Sequence, residues 1–148
     1  MNLDMKKLPL VLFGVALLMV FQSCVSQKLS TGEFQRQWML VSFKDYSRDF
    51  LVENRAQMDL APTKSPANQY GATMGCNNMF FNAEFFKNGS VKFSDVGSTM
   101  MYCEGKMQLE SDFGKILPAM TKYKIDGHHL TLSDGKGNEM KFIATDWD

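Results

Sequence analysis

The sequence predicts a mostly β (α+β) fold, an antiparallel β pseudobarrel of about eight short strands with one packed helix. Three observations carry this. Short runs alternate apolar and polar residues between Gly, Pro and Asn breaks, as in "RAQMDLAPT" (55–63) and "EMKFIAT" (139–145). "MFFNAEFF" (79–86), "KNG" (87–89) and "SVKFSDV" (90–96) read as a hairpin around Asn88-Gly89, residues suited to a two-residue turn. Only "EGKMQLESDFGKILPAM" (104–120) has helical period, with Leu109, Phe113, Ile116, Leu117 and Met120 in one apolar stripe.

The first residues are set apart from this pattern. Lys6-Lys7 precede the uncharged stretch "LPLVLFGVALLMVF" (8–21), which at 14 residues is short for a membrane span. A charged lead, a short apolar run and small residues make a secretory signal. "QSC" (22–24) then places Cys24 after a small residue, which resembles the bacterial lipoprotein signal. That resemblance implies cleavage after residue 23, a fatty acyl anchor such as palmitate on Cys24, and a place in the bacterial envelope. An ordinary secretory signal with an incidental Cys24 is the competing reading, and a retained membrane anchor a further one. Residues 24–33 are a polar tether, and 34–148 the folded domain.

From there the elements follow in order. "FQRQWMLVSFK" (34–44) is apolar on both faces and suits a buried first strand, whereas "DYSRDFLVEN" (45–54) is polar enough for a connection. Residues 55–63 form a half-buried strand ended by Pro62. A loop precedes "YGATM" (70–74), Gly75-Cys76-Asn77-Asn78 breaks the alternation, and 79–86 and 90–96 form the hairpin. "GSTMMYC" (97–103) is a further short strand or strand end, and the helix follows with Pro118 near its end, where a missing amide costs least. "KYKID" (122–126), "HHLTLS" (128–133) and 139–145 alternate around turns at Gly127 and "DGKGN" (134–138), giving an antiparallel meander.

Composition narrows the class of function. With 45% hydrophobic and 22% charged residues in 148, the chain is globular and fits one domain. Its 16 basic and 16 acidic residues balance, and no basic stripe points to nucleic acid. Removing residues 1–23 leaves 14 basic and 15 acidic residues, still near neutral. Three cysteines are odd for an exported protein. Acylation of Cys24 leaves Cys76 and Cys103, and outside the cytosol a disulfide is their expected fate, with two separated buried thiols the alternative.

Several short motifs in order are similar to the META domain, also called the HslJ-like heat-shock lipoprotein family. These are Trp38-x-Leu40, "GCNN" (75–78), "STMMYC" (98–103), Glu110 with Phe113 and Leu117, and "LTL" (130–132). The resemblance spans residues 34–145. It implies a small antiparallel β pseudobarrel with one helix, secreted or lipid-anchored, linked with heat induction and novobiocin resistance, and with no assigned catalytic residues. The motif positions are Gly75, Cys76, Asn77, Thr99, Cys103 and Glu110. The chain departs after "GCN", where Asn78 and "MFFNA" stand in place of the family's basic or small polar residue and following glycine.

Catalytic and metal patterns are sparse, and no enzyme, cofactor or metal site is expected. A nucleophilic Cys needs a paired His, yet His128 and His129 are neighbours that point to opposite faces of a strand. Glu110 and Asp112 are two apart and do not share a helical face. Glu110 is expected to bond backbone or a strand hydroxyl such as Thr99. "MFFNAEFF" offers aromatics on both faces: Met79, Phe80, Phe81, Phe85 and Phe86 are expected to be core, with a ligand or partner surface as the alternative. The expected function is a non-catalytic, lipid-anchored envelope protein, placed in the outer membrane and periplasm-facing, serving stress response or maintenance through protein contacts. A carrier of an apolar or amphipathic ligand is the alternative, and an inhibitor of envelope-attacking enzymes a third.

Overall fold

A computed structural model describes residues 27–29, 31–62 and 68–147. The signal segment 1–23 and Cys24 lie outside the described residues. Among the described residues ten strands form one sheet: β1 (Lys28–Leu29), β2 (Gln37–Phe43), β3 (Gln57–Asp59), β4 (Gln69–Thr73), β5 (Asn78–Phe86), β6 (Val91–Phe93), β7 (Gly97–Ser98), β8 (Lys122–Asp126), β9 (His129–Ser133) and β10 (Glu139–Ala144). Two helices among the described residues accompany them, α1 (Arg48–Glu53) and α2 (Met107–Ile116), the second prolonged by a 3-10 turn at Leu117–Ala119.

All pairings are antiparallel, and the main path runs β1-β5-β4-β3-β2-β10-β9-β8. β6 and β7 lie along the other side of β5 as one interrupted return strand, with Phe93 opposite Ala83 and Ser98 opposite Met79. The sheet curls until its ends meet: the Val91 amide donates to the Thr121 carbonyl at 3.0 Å and the Tyr123 amide to Gly89 at 2.8 Å. Curling in this way covers the edges that an open sheet would leave unpaired.

Alternation puts one face of every long strand inside. In β5 the pattern is strict, with Met79, Phe81, Ala83 and Phe85 buried and the residues between them more open. Trp38, Leu40, Met58, Leu130, Leu132, Met140 and Phe142 are fully buried from the other strands. α2 plugs the curl with Leu109, Phe113 and then Leu117, all fully buried. The indole of Trp38 is satisfied inside by donating to the Phe34 carbonyl at 2.8 Å. Stacking of Phe34 on Phe85, with centroids 4.1 Å apart, ties the entry of the chain to β5.

Four expectations change. The connection 45–54 contains α1, whose Ser47 hydroxyl caps the Phe50 amide at 3.2 Å and whose Leu51 is fully buried. Residues 99–103 are not strand, because pairing with β5 stops at Ser98. The helix is shorter than 104–120 and begins at Met107. Part of the tether is structured, since Lys28 and Leu29 pair with Phe86 and Phe85.

Candidate functional site

The break in the alternation at 75–77 is a tight loop between β4 and β5. Gly75 adopts a φ of +102°, and a Cβ there would lie 2.9 Å from Cβ and Oδ1 of Asn54. Asn54 is itself held at the end of α1, donating from Nδ2 to the Phe50 carbonyl at 2.8 Å. Glycine is therefore needed for both the backbone turn and the contact with α1. Cys76 is bonded to Cys103, with Cα atoms 5.9 Å apart.

Glu110, on the first turn of α2 and only 6% exposed, closes the loop. Its Oε1 accepts from the amides of Cys76, at 3.1 Å, and Asn77, and its Oε2 accepts from Asn77 Nδ2 at 2.7 Å. Charge-assisted bonds of this kind are the strong ones. Asn77, 1% exposed, passes the connection on. Its Oδ1 accepts from the Thr99 hydroxyl at 2.8 Å and the Met101 amide at 2.7 Å, and its Nδ2 also donates to the Met101 carbonyl at 3.0 Å. Thr99 Oγ1 in turn accepts from the Asn78 amide at 3.2 Å. The expected link between Glu110 and Thr99 thus runs through the Asn77 side chain, while the expected backbone bonds of Glu110 are direct.

The six motif positions Gly75, Cys76, Asn77, Thr99, Cys103 and Glu110 converge on one cluster. What they hold in place is the segment 99–103, and it points large apolar side chains into solvent: Met100 is 98% exposed, Tyr102 82% and Met101 55%. Beside it runs a groove of about 590 Å³, floored by Met79, Val96 and Gly114 and bordered by Met107 and Lys115. Sequence reasoning had no place for Met100, Met101, Tyr102 and Met107 as a surface. The signal was the non-alternating "TMMYC", which suits neither a buried strand nor a polar loop.

Other candidates fall elsewhere. Met79, Phe81 and Phe85 are core residues rather than a partner surface, because strict alternation turns them inward. Phe80, 49% exposed, does face outward, and its ring lies where a Cβ on Gly97 would come within 2.2 Å. Phe86 is half-buried. His128 and His129 are not separated by the strand as expected: His128 sits in the turn and stacks on Trp147 at 5.0 Å, and His129 meets the same ring edge-on at 5.8 Å. Among the described residues no three His, Cys, Asp or Glu side chains gather as metal ligands. On the far side of α2, Asp112 accepts from the Tyr46 hydroxyl at 2.8 Å and pairs with Lys44 at 2.9 Å. Burial and the Asp112 carboxylate push the Tyr46 hydroxyl up to about 12.

The META domain family model matches residues 29–147. The chain belongs to the META domain family. Among solved structures, a DUF4847 family protein from Bacteroides vulgatus is similar in fold, with a TM-score of 0.52 at 11% identity, covering 77% of this chain and 95% of that one. No curated protein matches the chain. The META motif cysteines, loop and helix glutamate are thus one physical unit in this member of the family, a clamp on the segment 99–103.

Proposed function

We propose that this META domain protein is a non-catalytic, lipid-anchored component of the bacterial envelope that serves stress response or maintenance by protein contacts through Met100, Met101 and Tyr102. One observation carries the reading. A buried carboxylate, a buried amide and a disulfide are all used to fix a segment whose large side chains are left in water. Contact surfaces favour aromatic residues and methionine, whose thioether adapts to varied partners.

The family resemblance points to the stress role, and the "QSC" sequence at 22–24 to the anchor on Cys24. The reading is tested by complementation. A deletion strain is supplied with the full chain carrying Met100→Ser, Met101→Ser and Tyr102→Ser, and grown under heat or novobiocin. The expected result is a folded, correctly located protein that fails to restore growth, and full restoration would overturn the reading. The groove beside Met107 gives a carrier of apolar ligands its most suitable seat. Native mass spectrometry of exported protein distinguishes that second reading, which requires a retained small molecule.

A further inference from the structure

A second groove, of about 680 Å³, lies between the 87–90 turn and the outer face of β8, β9 and β10. Cross-strand register sets two rows along it: Lys124 beside Thr131 beside Lys141, and Lys122 beside Ser133 beside Glu139. Lys141 reaches Glu139 at 3.2 Å and Lys124 reaches Asp126 at 3.8 Å, both as solvent-exposed pairs that neutralise their charges only in part. Nearby, the Lys87 amide and ammonium both donate to Gln27, to its carbonyl and its Oε1, each at 2.9 Å. Lys28 adds a further charge, paired with Glu84 at 2.7 Å. Five lysines, Lys28, Lys87, Lys122, Lys124 and Lys141, therefore outnumber the three carboxylates Glu84, Asp126 and Glu139 that pair with them, which leaves a local excess of positive charge in a chain whose total is balanced.

Gln27 is three residues after Cys24. A fully extended chain covers at most about 3.6 Å per residue, so an acyl group on Cys24 holds Gln27, and the turn bonded to it, within roughly 11 Å of the bilayer surface. We infer that the groove lined by Lys122, Lys124 and Lys141 docks on an anionic bilayer surface and orients the domain on it; this rests on the lipid-anchor reading above. The groove is open and its lysines are mobile point charges, which suits an array of phosphate headgroups more than one bound ion. Ser90, Thr131 and Ser133 supply hydroxyl donors between them. The clamp on segment 99–103 sits at the opposite end of β5, about 27 Å away along nine extended residues. Docking through the lysines then turns Met100 and Tyr102 away from the membrane.

Among the described residues every strand, both helices and the buried core fall within 27–147, so residues 25–148 are the chain to test without the leader. This chain, which has no acyl group, is sedimented with phosphatidylcholine vesicles with and without phosphatidylglycerol. Binding to the anionic vesicles alone is expected, weakened by salt and by about fivefold for each of Lys122→Gln, Lys124→Gln and Lys141→Gln. Lys115→Gln, at the other end of the molecule, should change nothing. Equal binding to both vesicles, an equal loss with Lys115→Gln, or binding of inorganic phosphate without vesicle binding would each overturn the inference. The mass of the exported full chain reads acylation of Cys24 separately. An exported full chain whose mass shows no acyl group on Cys24 would sink the anchor reading, and anionic-vesicle binding by residues 25–148 would still leave the groove standing.

Discussion

Replacing Asn77 by alanine tests whether the buried amide joins the helix to the exposed segment. Four hydrogen bonds of the side chain carry this link, to Glu110 Oε2, to the Met101 amide and carbonyl, and to the Thr99 hydroxyl, beside a longer one at 3.7 Å to Cys76 Sγ. The bond to the Glu110 carboxylate is charge-assisted and buried, and losing it costs about 2 kcal/mol. The groups on Thr99 and Met101 can turn to water once the segment lifts, so their three bonds together add roughly 1–2 kcal/mol. The amides of Cys76 and Asn77 still reach Glu110, so the carboxylate is not stranded. The expected loss is about 3–4 kcal/mol, read from urea unfolding with the disulfide intact, along with faster proteolysis within 99–106. A loss below about 1 kcal/mol with unchanged proteolysis would refute the reasoning, because it would mean the amide is dispensable.

Three further outcomes follow from particular contacts. Gly75→Ala should cost about 2 kcal/mol or more, since the new Cβ meets Asn54 and the φ is positive, whereas Gly71→Ala, whose Cβ would be 3.7 Å from the nearest atom, should stay within about 1 kcal/mol in the same assay. Reducing Cys76–Cys103, which are 27 apart in sequence, should remove about 3–4 kcal/mol and free the segment 99–106, as seen by unfolding and proteolysis with and without reductant. Tyr46 keeps its proton in the folded state up to about 12, so its contribution is complete below the usual tyrosine range near 10 and is lost as the pH rises through 10 to 12. Tyr46→Phe should remove that part of the alkaline destabilisation, measured by chemical unfolding across that window; an unchanged alkaline profile would contradict it.

The strands were legible where alternation met a turn signal. β5 and β6 flank Asn88-Gly89, and β9 and β10 flank the Asp134–Asn138 turn, because period-two burial leaves its mark along the chain. The converging motif residues were legible through resemblance, and the cysteine pair through parity. What could not be read was which side chains the motif holds. Asn54 lies under Gly75 only because α1 packs there, and α1 has just 6 residues with Leu51 inward, too few for a visible stripe. Likewise "TMMYC" contains strand-forming residues, yet Asn77 captures the Met101 amide and carbonyl that a neighbouring strand would have used. The aromatics of "MFFNAEFF" read as core on both faces, but strict alternation buries Met79, Phe81 and Phe85 and leaves Phe80 outward and Phe86 half-buried.

The central claim is that a buried clamp holds the segment 99–103 rigid while its side chains stand in water. Amide hydrogen exchange resolved by NMR at Met101 tests this most directly. The Met101 amide donates to buried Asn77 at 2.7 Å, so it should be strongly protected although its side chain is 55% exposed. Exchange at the rate of an unstructured amide, while core amides such as that of Leu130 stay protected, would contradict the account.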